Sequence, residues 1–370
     1  MTLDHNVRVG IIGCGKISSV YFENCAKYPV LDVVACADIS LARAQAAAAQ
    51  YGIAKACTVS ELLEDPDIDL VINLTIPAAH AEVSIQALEA GKHVYGEKPL
   101  AVTREEGQHI LEVAKRRGLR VGSAPDTFLG GGIQTCVKLI REGWIGRPVA
   151  ATAFMVGQGP EHWHPDPEFY YARGGGPMFD MGPYYLTSLI AMLGPITRIS
   201  GSTGISFPER TILSEKKQGQ SIHVETPTHV AGTLDFQSGV IGTMVMSFDV
   251  FGGHQLPCIE IYGSEGTLSV PDPNMFGGPV KLRRFDSPAF QEIPMTHGFT
   301  ENSRGVGVLD MAYAIKNGRP HRANGELAYH VLEAMHGFHD ASTEGKHYRM
   351  QSTCEAPKLM PQGNLINVLD

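Results

Sequence analysis

Lys98 stands in the run Tyr95-Gly96-Glu97-Lys98-Pro99-Leu100, just past the end of an apolar strand pattern. An amine at such a point can donate as the ammonium or take a proton once neutral. Pro99 biases its neighbour toward extended backbone, which can aim the amine off the strand end. A lone lysine in a loop is more often simply solvated, and that reading stands beside the chemical one. Asp180 and Tyr184 occur together in Asp180-Met181-Gly182-Pro183-Tyr184, after Gly174-Gly175-Gly176. A phenol can donate or relay a proton, but its ordinary pKa of about 10 makes it a poorer base at neutral pH than an imidazole. The competing role is structural. Pro183 suits a first helical turn, Leu186, Leu189, Ile190 and Leu193 form an apolar stripe, Gly194-Pro195 stops it, and Asp180 is then only a cap.

A second group of residues has the spacing of a phosphate cradle. A strand pattern over 7–12 leads into Gly13-Cys14-Gly15-Lys16-Ile17-Ser18. Gly13 permits the tight turn, Gly15 lets the backbone approach a pyrophosphate at the following helix N-terminus, and Ser18 is small enough for helix-to-strand packing. About twenty residues on, Asp38 ends the second strand, where its carboxylate can accept hydrogen bonds from both ribose hydroxyls of an adenosine. Asp38 repels a 2′-phosphate and Ile39 and Ser40 offer it no guanidinium, so NAD is expected over NADP, with Arg43 the one residue against. Thr75, Ile76, Pro77 and His80 follow the third strand and border the same rim. Asp126 and Phe128 follow the last strand, which puts them at the nicotinamide half.

A third cluster, Glu161-His162-Trp163-His164-Pro165-Asp166-Pro167-Glu168-Phe169-Tyr170-Tyr171, joins a strand to the Gly174 loop. Aromatic faces stack on the C–H faces of sugars while imidazoles and carboxylates reach hydroxyls. We expect His162, Trp163, His164 and Tyr171 at a substrate, with Lys98, Asp126, Phe128, Asp180 and Tyr184. Loop packing claims at least half of the cluster. Two histidines with one residue between them lack a diagnostic metal spacing, so no metal is expected.

Positioning these groups requires an α/β chain. Strand patterns at 7–12, 31–37, 69–75, 93–95 and 120–123 alternate with helices. Ser40 can cap a helix ending at Gly52, and Thr103 with Glu106 forms a capping box for one ending near Gly118. This predicts a doubly wound parallel sheet over 1–124, the Rossmann arrangement. From 125 to 350 the pattern changes to an α+β domain with a large, open, mainly antiparallel sheet, a helix from about Ile133 to Gly143, strands to about 285 and a late helix over 325–341. Residues 351–370 are left as a tail. In the sheet, Met244, Met246, Phe248 and Val250 face one way and Thr243, Ser247 and Asp249 the other, after a turn at Gln237, Ser238 and Gly239. Such an open sheet meets a helix layer or a second subunit, so a homo-oligomer, dimer or tetramer, is expected.

The bulk numbers restrict the partners. A chain of 370 residues, 43% hydrophobic, buries a large core, and a net charge of −9 disfavours nucleic acid and anionic membranes. Seven cysteines lie scattered without a CxxC pair, as reduced thiols do. Residues 1–8 carry no apolar signal core and no apolar run reaches membrane length. We expect a cytoplasmic protein acting on a small molecule.

The chain resembles the Gfo/Idh/MocA oxidoreductases, named for glucose-fructose oxidoreductase and inositol dehydrogenase. The likeness rests on Gly13-Cys14-Gly15-Lys16-Ile17-Ser18, on Ala90-Gly91-Lys92-His93-Val94 leading to Glu97-Lys98-Pro99-Leu100, and on Gly174-Gly175-Gly176 leading to Asp180-Met181-Gly182. It implies that Lys98 lies beside the nicotinamide and the substrate hydroxyl, and Glu97 on the cofactor side. Members commonly carry DxGxH; here Tyr184 takes the histidine's place, which moves the base assignment toward Lys98. The expectation is an NAD-dependent oxidation of a secondary hydroxyl on a sugar, glycoside or cyclic polyol, with the glucoside 3-position as the narrowest form. The proton passes to a neutral Lys98 or along a Lys98, Tyr184, Asp180 relay; burial would lower the lysine's pKa and Asp180 would raise it. Two other readings are an NAD-dependent glycosidase working by transient oxidation and elimination, and a non-catalytic regulator that senses a dinucleotide or sugar.

Overall fold

The computed structural model describes residues 5–363. Short β-branched runs bounded by turns give six parallel strands, β1 (Val7–Ile12), β2 (Leu31–Ala37), β3 (Lys55–Cys57), β4 (Leu70–Asn73), β5 (His93–Gly96) and β6 (Val121–Ser123). Their order is β3-β2-β1-β4-β5-β6, the doubly wound order, with a switch point between β1 and β4. Five helices, α1 (Ser18–Cys25), α2 (Leu41–Tyr51), α3 (Val59–Glu64), α4 (His80–Glu89) and α5 (Arg104–Arg117), connect them. Every strand ends on one edge of the sheet, so the glycine loop, Asp38, Thr75 and Lys98 share a rim.

The Thr103 capping box forms, and Gly118 closes α5 in the left-handed conformation. Ser40 sits at the N-cap of α2 without capping it through its side chain. Its own amide instead donates to Asp38 Oδ1 at 2.8 Å. The three-residue β3 escaped the sequence reading because a strand that short carries no period.

Beyond α6 (Gly131–Arg141) and β7 (Pro148–Val156), the chain forms α7 (Gly176–Leu193), β8 (Ile196–Gly204), a small pair β9 (Glu209–Thr211) and β10 (Ser221–His223), then β11 (His229–Phe236) and β12 (Ile241–Ser247). β13 (Ile259–Gly263), β14 (Gly266–Val270), β15 (Val280–Arg284) and β16 (Gln291–Ile293) follow, then α8 (Val306–Asn317), α9 (Gly325–Glu344) and β17 (Tyr348–Arg349). The large sheet has the order β16-β15-β14-β13-β7-β12-β11-β8-β17. It is antiparallel except where β12 runs parallel to β7. Met244 and Met246 of β12 are buried and α7 and α9 cover the sheet on one face. Ile241 and Thr243 are exposed on the other. Phe248 lies beyond β12, buried in a second, smaller apolar cluster with Tyr171, Ile212, Ile222 and Val224.

Two long-range returns carried no sequence signal. α8 packs against α1 and β6 of the first sheet. The tail comes back too: Met360 is buried and its amide donates to Gln134 Oε1 at 2.7 Å.

Candidate functional site

The rim of the parallel sheet carries a built cradle. Gly13 has φ 101°, and a Cβ there would meet the Leu74 carbonyl at 2.6 Å, so only glycine fits. Gly15 differs: its φ is ordinary and a Cβ would meet no protein atom within 4 Å. Neither backbone nor packing requires glycine at 15, which leaves close approach of a ligand as the reason. α1 begins without a side-chain cap or an acidic residue in its first turn, so the positive end of its dipole meets no anionic side chain there. Gly15, Lys16 and Ile17 are exposed beside them, and Cys14 is half-buried. Ile39 is 94% exposed and Ile76 69%, two large apolar side chains held open to solvent on the same rim. Thr75 and Pro77 are half-buried between them and the sheet.

Asp38 takes the Cys14 amide on Oδ2 at 2.9 Å, and on Oδ1 the Ser40 amide and both Nε and Nη2 of Arg43. Burial opposes its ionisation, but these donors outweigh it and hold the carboxyl below the usual range. Oδ2, with one donor, keeps a free acceptor position for a ribose hydroxyl. Arg43 is already committed to Asp38.

Lys98 follows β5, and the Lys98-Pro99 bond is cis. Its Nζ donates to the Asp180 carbonyl oxygen at 2.6 Å and to Asp180 Oδ1 at 2.9 Å. An ammonium has three donors, so one remains. The side chains of Lys98 and Asp180 stay 17% and 24% exposed, so the pair is open at its outer side. Burial works against the charge, yet Asp180 and the facing Tyr184 prevail and raise the lysine above its ordinary range. These surroundings favour the ammonium over the neutral amine that a lysine base requires. Nζ also lies 5.3 Å from the Tyr184 ring centroid. Glu97 accepts the Tyr21 hydroxyl on Oε1 at 2.8 Å and the Lys98 amide on Oε2 at 3.0 Å.

Asp180 reaches Lys98 from inside α7. The structure corrects the cap reading, because Asp180 lies five residues into the helix and Pro183 is interior rather than in the first turn. Proline has no N–H, so the Phe179 carbonyl loses its helical donor and the turn at 179–183 is loosened. At this loosened turn the Asp180 carbonyl also accepts Lys98.

Four expected contacts are corrected. His80 is buried, with Nδ1 2.7 Å from the Pro99 carbonyl and Nε2 3.0 Å from that of Thr75, so it ties two rim loops together from below. Asp126 is buried and its Oδ2 accepts the Gly305 and Gly307 amides at 2.8 and 3.0 Å, capping α8 instead of facing the cleft. Phe128 is core. Tyr171 is fully buried, its hydroxyl donating to Glu161. Its neighbour Tyr170 takes the expected place: burial, and the field of Asp180, raise its pKa to about 12, with Lys98 opposing. Tyr170 packs on Phe169 with centroids 4.1 Å apart and on His164 at 5.4 Å, and Trp163 lies edge-on at 6.4 Å. The Asp166 amide donates to His164 Nδ1, which leaves Nε2 as the protonated nitrogen. His162 is exposed and turned to the Gly159 carbonyl.

Family models cover most of the chain. Residues 7–124 match the oxidoreductase family with NAD-binding Rossmann fold, and residues 133–269 match the GFO/IDH/MocA C-terminal domain. This chain belongs to the GFO/IDH/MocA oxidoreductase family. A 1,5-anhydro-D-fructose reductase from Ensifer adhaerens is 31% identical over 270 residues, 70% of this chain and 74% of that protein. Levoglucosan dehydrogenase from Pseudarthrobacter phenanthrenivorans is 26% identical over 290 residues, 71% of this chain and 73% of that one. A levoglucosan dehydrogenase structure in complex with NADH and L-sorbose superposes with a TM-score of 0.80 at 21% identity, covering 94% of this chain and 100% of that chain. At that identity it supports the fold alone. The cradle's open Gly15 and exposed Ile39 and Ile76 fit the NAD of the family's Rossmann domain.

Sequence reasoning missed three residues at the site. Tyr21, which holds Glu97, sits on an amphipathic helix where an aromatic reads as core. Tyr170 and Tyr171 are adjacent in an irregular loop, and without a period nothing says which points in. Arg304 follows a long loop and belongs to no motif, yet its charge bears on Tyr184 while its guanidinium donates to Asn302 and Asn274.

Proposed function

We propose that this protein moves a hydride between NAD and a secondary hydroxyl of a sugar, glycoside or cyclic polyol. The observation that carries the reading is the Lys98 ammonium, fixed by two bonds to Asp180 with its third donor left over, on the same rim as the glycine loop. The names of the relatives, which act on anhydro sugars and inositols, support the substrate class.

Gly13, Cys14, Gly15, Lys16 and Ile17 cradle the pyrophosphate, Asp38 takes the adenosine ribose, and Ile39 and Ile76 flank the adenine. When bound, the nicotinamide supplies the hydride acceptor. Lys98 orients the reacting oxygen through its remaining N–H and stabilises negative charge on it. Asp180 keeps that amine protonated and aimed, and Tyr184 exchanges the hydroxyl proton. Tyr170, His164, Phe169 and Trp163 form an aromatic wall for the sugar face, with His164 Nε2–H available to a hydroxyl. The second sheet face joins copies into a homo-oligomer, and the protein works in the cytoplasm.

A panel of sugars, glycosides and inositols with NAD, followed at the NADH absorbance band, tests this. Accumulating NADH with one structural class supports a dehydrogenase. Glycoside cleavage without accumulation selects the transient-oxidation glycosidase, and silence across the panel selects the regulator.

A further inference from the structure

His80 is a buried titratable group between the two halves of the site. It opens α4 and is 1% exposed. Nδ1 lies 2.7 Å from the carbonyl oxygen of Pro99, the residue after Lys98, and Nε2 lies 3.0 Å from that of Thr75. The Thr75 segment packs directly on the glycine loop, since a Cβ on Gly13 would meet the Leu74 carbonyl oxygen at 2.6 Å and the Thr75 amide nitrogen at 3.0 Å. Asn73 completes the tie: its Oδ1 accepts the Thr75 amide and hydroxyl, and its Nδ2 donates to the His80 carbonyl at 3.0 Å. One ring therefore touches both the bend that follows Lys98 and the rim that backs the cofactor cradle.

Both ring contacts run to carbonyl oxygens, which only accept. A neutral imidazole carries one N–H and satisfies one of the two; an imidazolium satisfies both. The shorter contact, to Pro99, marks Nδ1 as the nitrogen that keeps its proton when the ring is neutral. The charged groups that bear most on the ring are Glu97, which favours a second proton, and Lys98, which opposes it, while Asn73, Thr75 and Ser84 around it are neutral. Burial outweighs the two carbonyls and holds the pKa below the ordinary histidine range, so the ring is neutral at neutral pH and gains its second proton only on acidification.

We propose that His80 is a positioning residue that serves the two halves of the site through separate nitrogens: Nδ1–H holds the Pro99 bend and so aims Lys98, and Nε2 holds the Thr75 rim against the glycine loop only when it too carries a proton. This rests on the dehydrogenase reading, in which Lys98 meets the reacting oxygen and the glycine loop holds NAD. With the ring neutral, Lys98 stays aimed while the Thr75 carbonyl faces a lone pair and the rim behind the cradle is loose. Protonation adds the second donor, closes the rim and tightens the hold on NAD without touching substrate or cofactor.

The test follows NAD affinity by direct binding, and kcat with the sugar that the panel selects, from about pH 7.5 to about pH 5 in wild type, His80→Asn and His80→Gln, with the His80 ring nitrogens read by 15N NMR and assigned by their loss in the variants. The asparagine amide stands in for Nδ1 and the glutamine amide for Nε2, so each variant keeps one tie and neither titrates. Wild type tightens on NAD by roughly tenfold on acidification as Nε2 gains its proton, the size of one hydrogen bond. His80→Asn stays at the weaker affinity throughout, whereas His80→Gln holds the tighter affinity throughout and loses roughly tenfold in kcat. A neutral ring with its proton on Nε2, a ring still neutral at about pH 5, or variants that follow the wild-type course of NAD affinity and lose only thermal stability overturn the proposal while leaving the dehydrogenase standing. Should a variant fail to fold, the wild-type nitrogens and affinity decide. A wild type that reduces NAD with no sugar overturns the underlying reading, and NAD binding and the ring nitrogens still report on His80.

Discussion

Asp38 and Asp126 are two buried carboxyls with opposite electrostatics. Asp38 is ionised throughout the neutral range because the Ser40 and Cys14 amides and Arg43 satisfy it. With Asp38→Ala, a charge-assisted hydrogen bond of about 1.5–3 kcal/mol to the ribose is lost, so KM for NAD rises roughly tenfold or more. Arg43 is released at the same time and NADP becomes a usable substrate; titration with both dinucleotides checks this, and unchanged discrimination contradicts it. Asp126 is shifted the other way, to about 6, by burial, against the Gly305 and Gly307 amides and Arg304. A carboxyl whose folded pKa is raised binds more protons when native, so stability falls as pH rises from the ordinary aspartate range to about 6. Asp126→Asn keeps an acceptor for the α8 amides without the charge, and urea unfolding across pH 4–6, roughly this window, is expected to lose that slope. Lys98 follows the opposite rule. Its pair with Asp180 is complete at neutral pH and weakens only above the ordinary lysine range, so pH changes near 7 do not titrate it. The catalytic types were legible one residue at a time, since Lys98 and Asp180 meet as expected. The direction of the lysine's shift was not, because burial and ion pairing oppose each other and only geometry decides between them.

Among the elements, the irregular segment of residues 160–171 is tied down by buried ion pairs. Arg210 of β9 is buried between Glu161 and Asp249, donating to both and to the Phe248 carbonyl, while Tyr171 lies against its guanidinium. This network fixes the base of the aromatic wall to the end of β12. Arg210→Met leaves two carboxylates buried without their cation, and breaking such a pair costs about 3–5 kcal/mol. We expect a fall in Tm of several degrees and a rise in sugar KM with NAD affinity unchanged; wild-type Tm would show that the network holds nothing. Elements with strong local grammar were readable: β1 and β2, the Thr103 box and the Gly52 and Gly118 stops all form. α7 was misjudged at its start. The glycine run at 174–176 reads as loop, yet the helix begins at Gly176 and carries Pro183 inside, where tertiary packing overrides propensity. That displacement converts Asp180 from a cap into Lys98's partner.

At the scale of the molecule, two sheets with one continuous apolar core bring the strand ends of the first against α7 of the second. The alternation of period 2 and period 3.6 announced both sheets, but nothing local announces that α8 and the residues before Met360 return across the chain. The large sheet keeps Ile241 and Thr243 exposed on the face away from α7 and α9. If that face joins copies, light scattering gives a mass that is a multiple of 40.0 kDa and Thr243→Lys lowers it; a wild-type monomer contradicts the assembly. The account as a whole stands on hydride transfer at the Lys98 and Asp180 pair. Its most direct test is a single turnover of saturating NAD with a sugar deuterated at the reacting carbinol, in wild type and Lys98→Met, reading deuterium in the reduced nicotinamide. The account predicts deuterium transfer by wild type and a loss of about 100-fold or more in Lys98→Met with NAD affinity retained. Equal transfer by the two proteins contradicts it.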